Sequence, residues 1–281
     1  MDKRLVFALA AVLAATILGG LISGLDRKLT ARFQARKGPP LLQPFYDLLK
    51  LLSKKPMAIN NWLGPCAAVS ALAGATAIGL LVYGAHLLLV VFVQAVGAVF
   101  LVLGALSAPS PYSRIGGQRE LLQILASEPL ILWAVLGLGL AGSGFSVDAI
   151  LAVKEPLLFS LPLVFVALSL ALTIKLRKSP FDTSASHHAH QELVRGVYTE
   201  YSGSDLALIE LAHWLETVFL LALMWLFWPD PWWAGVLLTA GVYLLEIIVD
   251  NISARLTWRW MLGLAWSVGL ALCLGNYCML G

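Results

Sequence analysis

The sequence predicts an all-α, polytopic integral membrane protein of about eight transmembrane helices plus one short amphipathic helix on a membrane surface. Two bulk observations and one local one predict it. Of 281 residues, 59% are apolar and only 12% charged, about half the charged fraction of an ordinary soluble domain. The mean hydropathy is +0.84. Long apolar runs also recur along the whole chain, each near the ~20 helical residues that cross a ~30 Å hydrocarbon core. Eight such spans and their loops use up the length, so residues 1–281 read as a single membrane domain.

The runs fall at 5–25, 62–83, 86–108, 121–140, 157–174, 206–228, 232–249 and 260–279. Turn formers lie between them, as at Gly84 and Pro229–Asp230–Pro231. The first run follows Lys3 and Arg4, as a signal peptide would. It is too long for a signal-peptide core and no small-residue cleavage site follows, so it reads as a retained anchor. Gly20 and Gly24 on it are spaced for close helix packing.

Lys and Arg are distributed unevenly over the loops. Sixteen of the 19 fall in alternate loops: Arg27 to Lys55, Arg114 and Arg119, Lys175 to Arg195, and Arg255 with Arg259. Lys3, Arg4 and Lys154 lie on the other side. Basic loops stay cytoplasmic. The expectation is therefore a cell inner (cytoplasmic) membrane protein with loops 26–61 and 175–204 inside and both termini outside. There is no internal repeat of the kind that marks inverted-repeat transporters.

In the first basic loop, Leu41, Leu42, Phe45, Leu48, Leu49 and Leu52 follow helical spacing, with Asp47 and Lys50 elsewhere on the wheel. This predicts a surface amphipathic helix. The loop from Lys178 to Gly203 is too polar to span a bilayer and too long for a plain connector. Its His187, His188 and His190 invite a metal reading. No second ligand cluster accompanies them, and three crowded histidines rarely converge on one tetrahedral ion; proton carriage or hydrogen bonding at an interface suits them better. Asp182, Glu192 and Glu200 are the loop's candidate coupling or docking carboxylates. Cys66, Cys273 and Cys278 form no Cys-x-x-Cys pair and read as small apolar residues. No metal or cluster site is expected in this chain.

Charges at bilayer depth are costly and become functional candidates. Glu128, Glu210, Glu216 and Glu246 lie within spans, with Glu120 and Asp250 near span ends. Glu246 and Asp250, four apart, share a helix face. Glu210, His213 and Glu216 are spaced so that His213 can bridge the two carboxyls. Buried carboxyls can exchange protons near neutral pH, so Glu120, Glu128, Glu210, His213, Glu216, Glu246 and Asp250 form a candidate ion path. Pro129, directly after Glu128, is expected to loosen the backbone there.

Three motifs give the chain a resemblance. The run Arg32-Phe33-Gln34-Ala35-Arg36-Lys37-Gly38-Pro39-Pro40-Leu41-Leu42-Gln43-Pro44-Phe45-Tyr46-Asp47 resembles the first cytoplasmic loop of the respiratory complex I family that includes mitochondrial subunit 1. Arg119, Gln123 and Glu128 match its R-x3-Q-x4-E helix pattern. Pro180-Phe181-Asp182, Glu192-Leu193-Val194, Gly196 and Thr199-Glu200-Tyr201-Ser202-Gly203 match its long loop. The departures are informative. Gly38-Pro39-Pro40 replaces a longer G-P-N-R-V-G-P stretch, Ser184 to Gln191 replaces an acidic stretch, and the family's sixth-helix Glu at the position of His213 is shifted to Glu210. The shortened loop and the stretch from His187 to Val194 look like the membrane anchor subunit of energy-converting, Ech-type nickel–iron hydrogenases.

That resemblance implies a non-catalytic subunit coupling ferredoxin oxidation and hydrogen evolution to proton or sodium ion translocation. It implies partners: hydrogenase large and small subunits, an iron–sulfur subunit and an antiporter-like membrane subunit, with ferredoxin acting through the complex. The nickel–iron centre and iron–sulfur clusters belong to those partners. The alternatives are the corresponding component of a quinone-reducing complex I or of a formate hydrogenlyase complex, and a free-standing ion transporter.

Overall fold

The structure, a computed structural model, describes residues 3–57, 60–185 and 195–280. His187, His188, His190 and Glu192 lie outside the described residues.

The helices are α1 (Lys3–Phe33), α2 (Gln43–Leu52), α3 (Leu63–Tyr83), α4 (Leu87–Ser107), α5 (Pro111–Ala141), α6 (Val147–Leu151), α7 (Leu157–Ser160) and α8 (Pro162–Lys175). A 3₁₀ turn at Gly196–Tyr198 leads to α9 (Gly203–Trp225) and α10 (Trp232–Ile252). The last span is α11 (Trp258–Gly263) and α12 (Leu270–Leu280), joined through a π turn at Leu264–Gly269. Among the described residues, seven helical stretches are long and apolar enough to cross a membrane. They and the shorter α8 occupy the eight expected places, and the described residues form no strand.

Two spans depart from expectation in useful ways. The fourth starts ten residues early, so Arg114 and Arg119 lie on α5 rather than in a loop. The fifth is broken. Leu161, at the break, leaves the helical region (φ −124°, ψ 43°), and Pro162 opens α8. At 14 residues, α8 is only about 21 Å long, too short for a ~30 Å core. Free backbone groups cannot be left open inside a membrane. Asn276 of α12, 1% exposed, meets them: its Oδ1 accepts from the N–H groups of Leu163 (2.8 Å) and Val164 (3.4 Å), and its Nδ2 donates to the Ser160 carbonyl (2.8 Å).

The helix α2 has the expected apolar stripe, and α1 seats it. A Cβ on Gly24 would overlap the Leu41 carbonyl oxygen, and one on Gly20 would overlap the Phe45 ring. These glycines admit the surface helix rather than another span. Phe45 in turn meets Trp214 of α9 edge-on, 5.3 Å between ring centres. The interior is built from α3 against α4 and α9, and α5 against α4 and α8. Leu130, Leu138, Leu168, Leu172 and Phe219 are buried there, while much of α1 turns Leu9, Leu13 and Ile17 outward.

Candidate functional site

Because α8 stops short, the cations that follow it are carried into the protein. Lys175, Arg177 and Lys178 were expected among the cytoplasmic loop charges; each is only 6% exposed. That is a correction to the expected loop charges, from which these three drop out along with Arg114 and Arg119 on α5. A buried cation requires a partner, and each has a carboxylate within 2.8 Å.

Lys175 Nζ lies 2.6 Å from Glu128 Oε1 and 3.6 Å from Glu216 Oε1. Arg177 grips Glu120 with two nitrogens, Nη2 to Oε1 at 2.6 Å and Nε to Oε2 at 3.0 Å. This is the fork geometry that a guanidinium offers a carboxylate. Its Nη1 is 3.3 Å from His213 Nδ1 and 3.8 Å from Glu216 Oε2. Lys178 turns the other way, pairing with Asp26 of α1 at 2.8 Å and lying over the Tyr243 ring. Tyr243 also donates to Asp26, at 3.2 Å.

Arg177 takes φ +53°, the left-handed conformation that usually falls to glycine just past a helix end. A side chain with a Cβ is disfavoured there; the ion pairs it reaches offset that cost. Tyr198 closes the set, its ring 5.5 Å from the Arg177 guanidinium carbon. Burial pushes the Tyr198 phenol well above its ordinary value, with Arg177 opposing and Glu120 adding to the rise. The ring is therefore neutral at working pH.

The long loop is tied to the same place. Gln123 Nε2 donates to the Phe181 carbonyl at 2.5 Å. Ser184 Oγ lies 2.5 Å from Glu120 Oε2 and also against Gln123 Oε1. Asp182, 2% exposed, pairs with Arg255 at 3.7 Å, and Arg119 donates to the Thr183 carbonyl at 3.3 Å. Thus Glu120, Gln123 and Glu128 on α5 do two jobs: they bind the α8 cations and anchor the start of the loop.

The other candidate residues fall in two groups. Glu216 and His213 are 3.9 Å apart and both face Arg177. Beside them, Gln94, Arg177, Tyr198, His213 and Glu216 border a void of about 20 Å³, room for about one water. Glu210 is not bridged to Glu216 by His213. It makes no hydrogen bond or ion pair among the described residues and instead borders two larger cavities. One, of about 470 Å³, is also lined by Asp26, Lys178, His213, Tyr243 and Asp250. Asp250 accepts the Ser179 N–H at 2.8 Å. Glu246, 3% exposed, lies with Oε1 3.0 Å from the Thr173 hydroxyl. Glu200 is partly exposed and has no partner among the described residues. Sequence reasoning missed Lys175, Arg177, Lys178, Asp26 and Tyr243. Lys175, Arg177 and Lys178 read there as an ordinary cation run after an apolar span.

Residues 5–281 match the family described as NADH dehydrogenase. The chain belongs to this family, the one that includes mitochondrial complex I subunit 1. The resemblance carried by the first loop, the α5 pattern and the long loop is thereby borne out. Among curated relatives, it is 30% identical to hydrogenase-4 component C of Escherichia coli over 78% of this chain and 73% of that one. It is 30% identical to formate hydrogenlyase subunit 4 of the same organism, over 82% and 78%. With an NADH-quinone oxidoreductase subunit of Rhodopseudomonas palustris it shares 29% identity over 96% and 93%. A chain in the structure of the archaeal membrane-bound sulfane sulfur reductase has the same fold, with TM-score 0.81, 23% identity and full coverage of both chains. Among the described residues, no group of three or more His, Cys, Asp or Glu side chains is placed to hold a metal.

Proposed function

We propose that the chain is the membrane anchor and coupling subunit of an energy-converting, ferredoxin-dependent nickel–iron hydrogenase complex. The likeness to hydrogenase-4 component C and formate hydrogenlyase subunit 4 supports a hydrogenase-type complex. The observation that carries a coupling role is the buried charge chain. Lys175 and Arg177 share Glu216, each holds a second carboxylate on α5, and His213 stands between that chain and the 470 Å³ cavity.

An imidazole beside carboxylates is the group best suited to pass protons near neutral pH. In this reading His213 receives protons from the cavity, Glu216 holds the imidazole from the other side, and the Glu120–Arg177 and Glu128–Lys175 pairs set the field around both. The loop that starts at Phe181 hangs on the same α5 residues. Docking of a soluble module on that loop, through Asp182, Glu192 and Glu200 and the histidines His187, His188 and His190, would bias the pairs. The nickel–iron centre, the clusters and the antiporter-like partner belong to other subunits, and both termini face outward.

Gentle solubilisation and mass spectrometry of the intact assembly test this. The expected result is co-purification with hydrogenase large and small subunits and an iron–sulfur subunit, and hydrogen evolution from reduced ferredoxin. Purification alone or as a homo-oligomer would establish a transporter instead. The near full-length match to a quinone oxidoreductase subunit supports a second reading, a quinone-reducing complex. Quinone-dependent oxidation without hydrogen evolution would favour it. Impermeant cysteine labelling in whole cells tests orientation: position 154 should label and position 54 should not.

A further inference from the structure

Pro129 lies inside α5, directly after Glu128. It has no N–H, so the carbonyl four residues back, that of Leu125, loses its helix donor, and the proline ring presses on it. The Leu125 side chain is 51% exposed. This stretch of α5 therefore borders the lipid, where no water can replace the missing donor. Trp266 replaces it: its indole Nε1 donates to the Leu125 carbonyl at 3.3 Å. We propose that Trp266 is a positioning residue for Glu128. It closes the gap that Pro129 opens and so fixes the turn of α5 from which Glu128 reaches Lys175.

The last span is shaped for this contact. Trp266 sits in the π turn at Leu264–Gly269. Gly269 lets the end of that turn close on α5: a Cβ there would lie 2.7 Å from Leu130 Cδ2, next to the proline. A π turn closes over five residues instead of four. It thus inserts one residue and rotates everything after it by about 100°. That rotation lets one span serve two interrupted helices. Trp266 meets the carbonyl stranded at Pro129, and Asn276, further along, meets the groups stranded at Leu161–Pro162. In an uninterrupted α-helix the two side chains would have a different angular offset, and one of the contacts would be lost.

Neither packing nor membrane anchoring accounts for the indole as well. Trp266 leaves 48% of its surface exposed, so its share of the core is small beside its hydrogen bond. A tryptophan of the interfacial belt sits at headgroup level; this one aims its N–H at a carbonyl near the middle of the 31-residue α5. The turn it secures carries one carboxylate of the buried charge chain. Glu128 faces Lys175 of α8 at 2.6 Å, and Glu216 of α9 stands beyond that lysine at 3.6 Å. A shift of the Glu128 turn would open the first of these contacts and leave Lys175 to Glu216. The role given to Trp266 rests on the reading of Glu128 and Lys175 as part of the coupling chain.

The test compares Trp266→Phe, which keeps a ring and loses the donor, with Glu128→Gln and with the double variant, all in the intact complex. Ion-coupled turnover should fall in Trp266→Phe about as far as in Glu128→Gln. The double variant should be no worse than Glu128→Gln, since both changes act through one contact. An infrared carboxyl band, assigned to Glu128 by its loss in Glu128→Gln, should shift in Trp266→Phe. It should not shift in Trp260→Phe, which alters an exposed tryptophan of the same span. Pro129→Ala returns a helix donor to the Leu125 carbonyl, so in that background Trp266→Phe should move the band no further. An unshifted band in Trp266→Phe, additive losses of turnover, or a further shift in the Pro129→Ala background would each overturn the proposal. If Trp266→Phe does not assemble, assembly of Trp266→Phe with Pro129→Ala would uphold the donor role, and failure there too would overturn it. Normal turnover in Glu128→Gln beside a shifted band in Trp266→Phe would overturn the coupling reading and uphold the positioning of Glu128.

Discussion

Arg177→Met is the sharpest test of the charge chain. The guanidinium and the Glu120 carboxylate are 6% and 5% exposed and joined at two points, 2.6 and 3.0 Å. Removing one member leaves an ionised or newly protonated carboxyl without its partner, which costs about 3–5 kcal/mol at a buried site. Met relieves none of the left-handed backbone strain at this position, so little is returned. The double variant Arg177→Met with Glu120→Gln removes both charges and keeps Ser184 a hydrogen-bonding neighbour. It should recover about 1–3 kcal/mol of the loss as a coupling energy. Arg177→Lys keeps the charge and loses the fork, and should fall between. Equilibrium unfolding of the purified chain in mixed micelles measures all three, with exposed Arg36→Met as reference. A loss in Arg177→Met no larger than in Arg36→Met, or no recovery in the double variant, would refute the pairing.

Glu128→Gln should assemble and keep its contact with Lys175, yet lower ion-coupled turnover; normal coupling would make Glu128 structural, and the relay would then rest on His213 and Glu216. Gly24→Ala drives a Cβ against the Leu41 backbone and should lift α2, costing about 1–3 kcal/mol and speeding tryptic cleavage at Lys50 or Lys54. Asn276→Leu leaves the Leu163 and Val164 N–H groups and the Ser160 carbonyl without their partner; the loss should be about 1–3 kcal/mol per stranded group, read as lower membrane abundance. Tyr198→Phe should leave the pH profile of turnover unchanged. A phenol raised by burial contributes stability that is present below its ordinary value near 10 and lost only above it, and either ring can face Arg177; a changed profile between pH 6 and 8 would contradict this.

The spans were legible because each is a long uninterrupted apolar run, and α2 because its stripe repeats at helical spacing. The buried carboxylates were legible too, since a Glu inside an apolar run has no cheap alternative reading. Their partners were not. Lys175-Leu176-Arg177-Lys178 reads as a cytoplasmic anchor by every local criterion. What makes it internal is the break at Leu161–Pro162, which shortens α8, and that break is stabilised by Asn276, more than 100 residues away. A single polar residue in the last span carries no local sign of that task. The pairing of His213 failed for a related reason. Spacing alone put it between Glu210 and Glu216, but Arg177 approaches from another helix end and draws the imidazole to the Glu216 side.

The position of Arg177 ties these observations together. A helix C-terminus presents unpaired carbonyls and a partial negative charge, so cations at the end of α8 are favoured before any partner is counted. Ending that helix inside the protein rather than at the membrane surface moves the favoured cations to the level of Glu120, Glu128 and Glu216. The same short stretch then points Lys178 toward α1 and α10, into the cavity with Asp26 and Asp250. A small rotation of the α8 end would therefore loosen Arg177 from Glu120 and Lys178 from Asp26 together. Since Gln123 and Ser184 tie the long loop to α5, where Ser184 also meets Glu120, the partner of Arg177, a pull on the loop reaches the charge chain through α5. Loop and charge chain should accordingly respond as a unit: Gln123→Ala, which touches no charge, should lower coupling as Glu128→Gln does, while a Gln123→Ala protein with normal coupling would separate the loop from the charge chain.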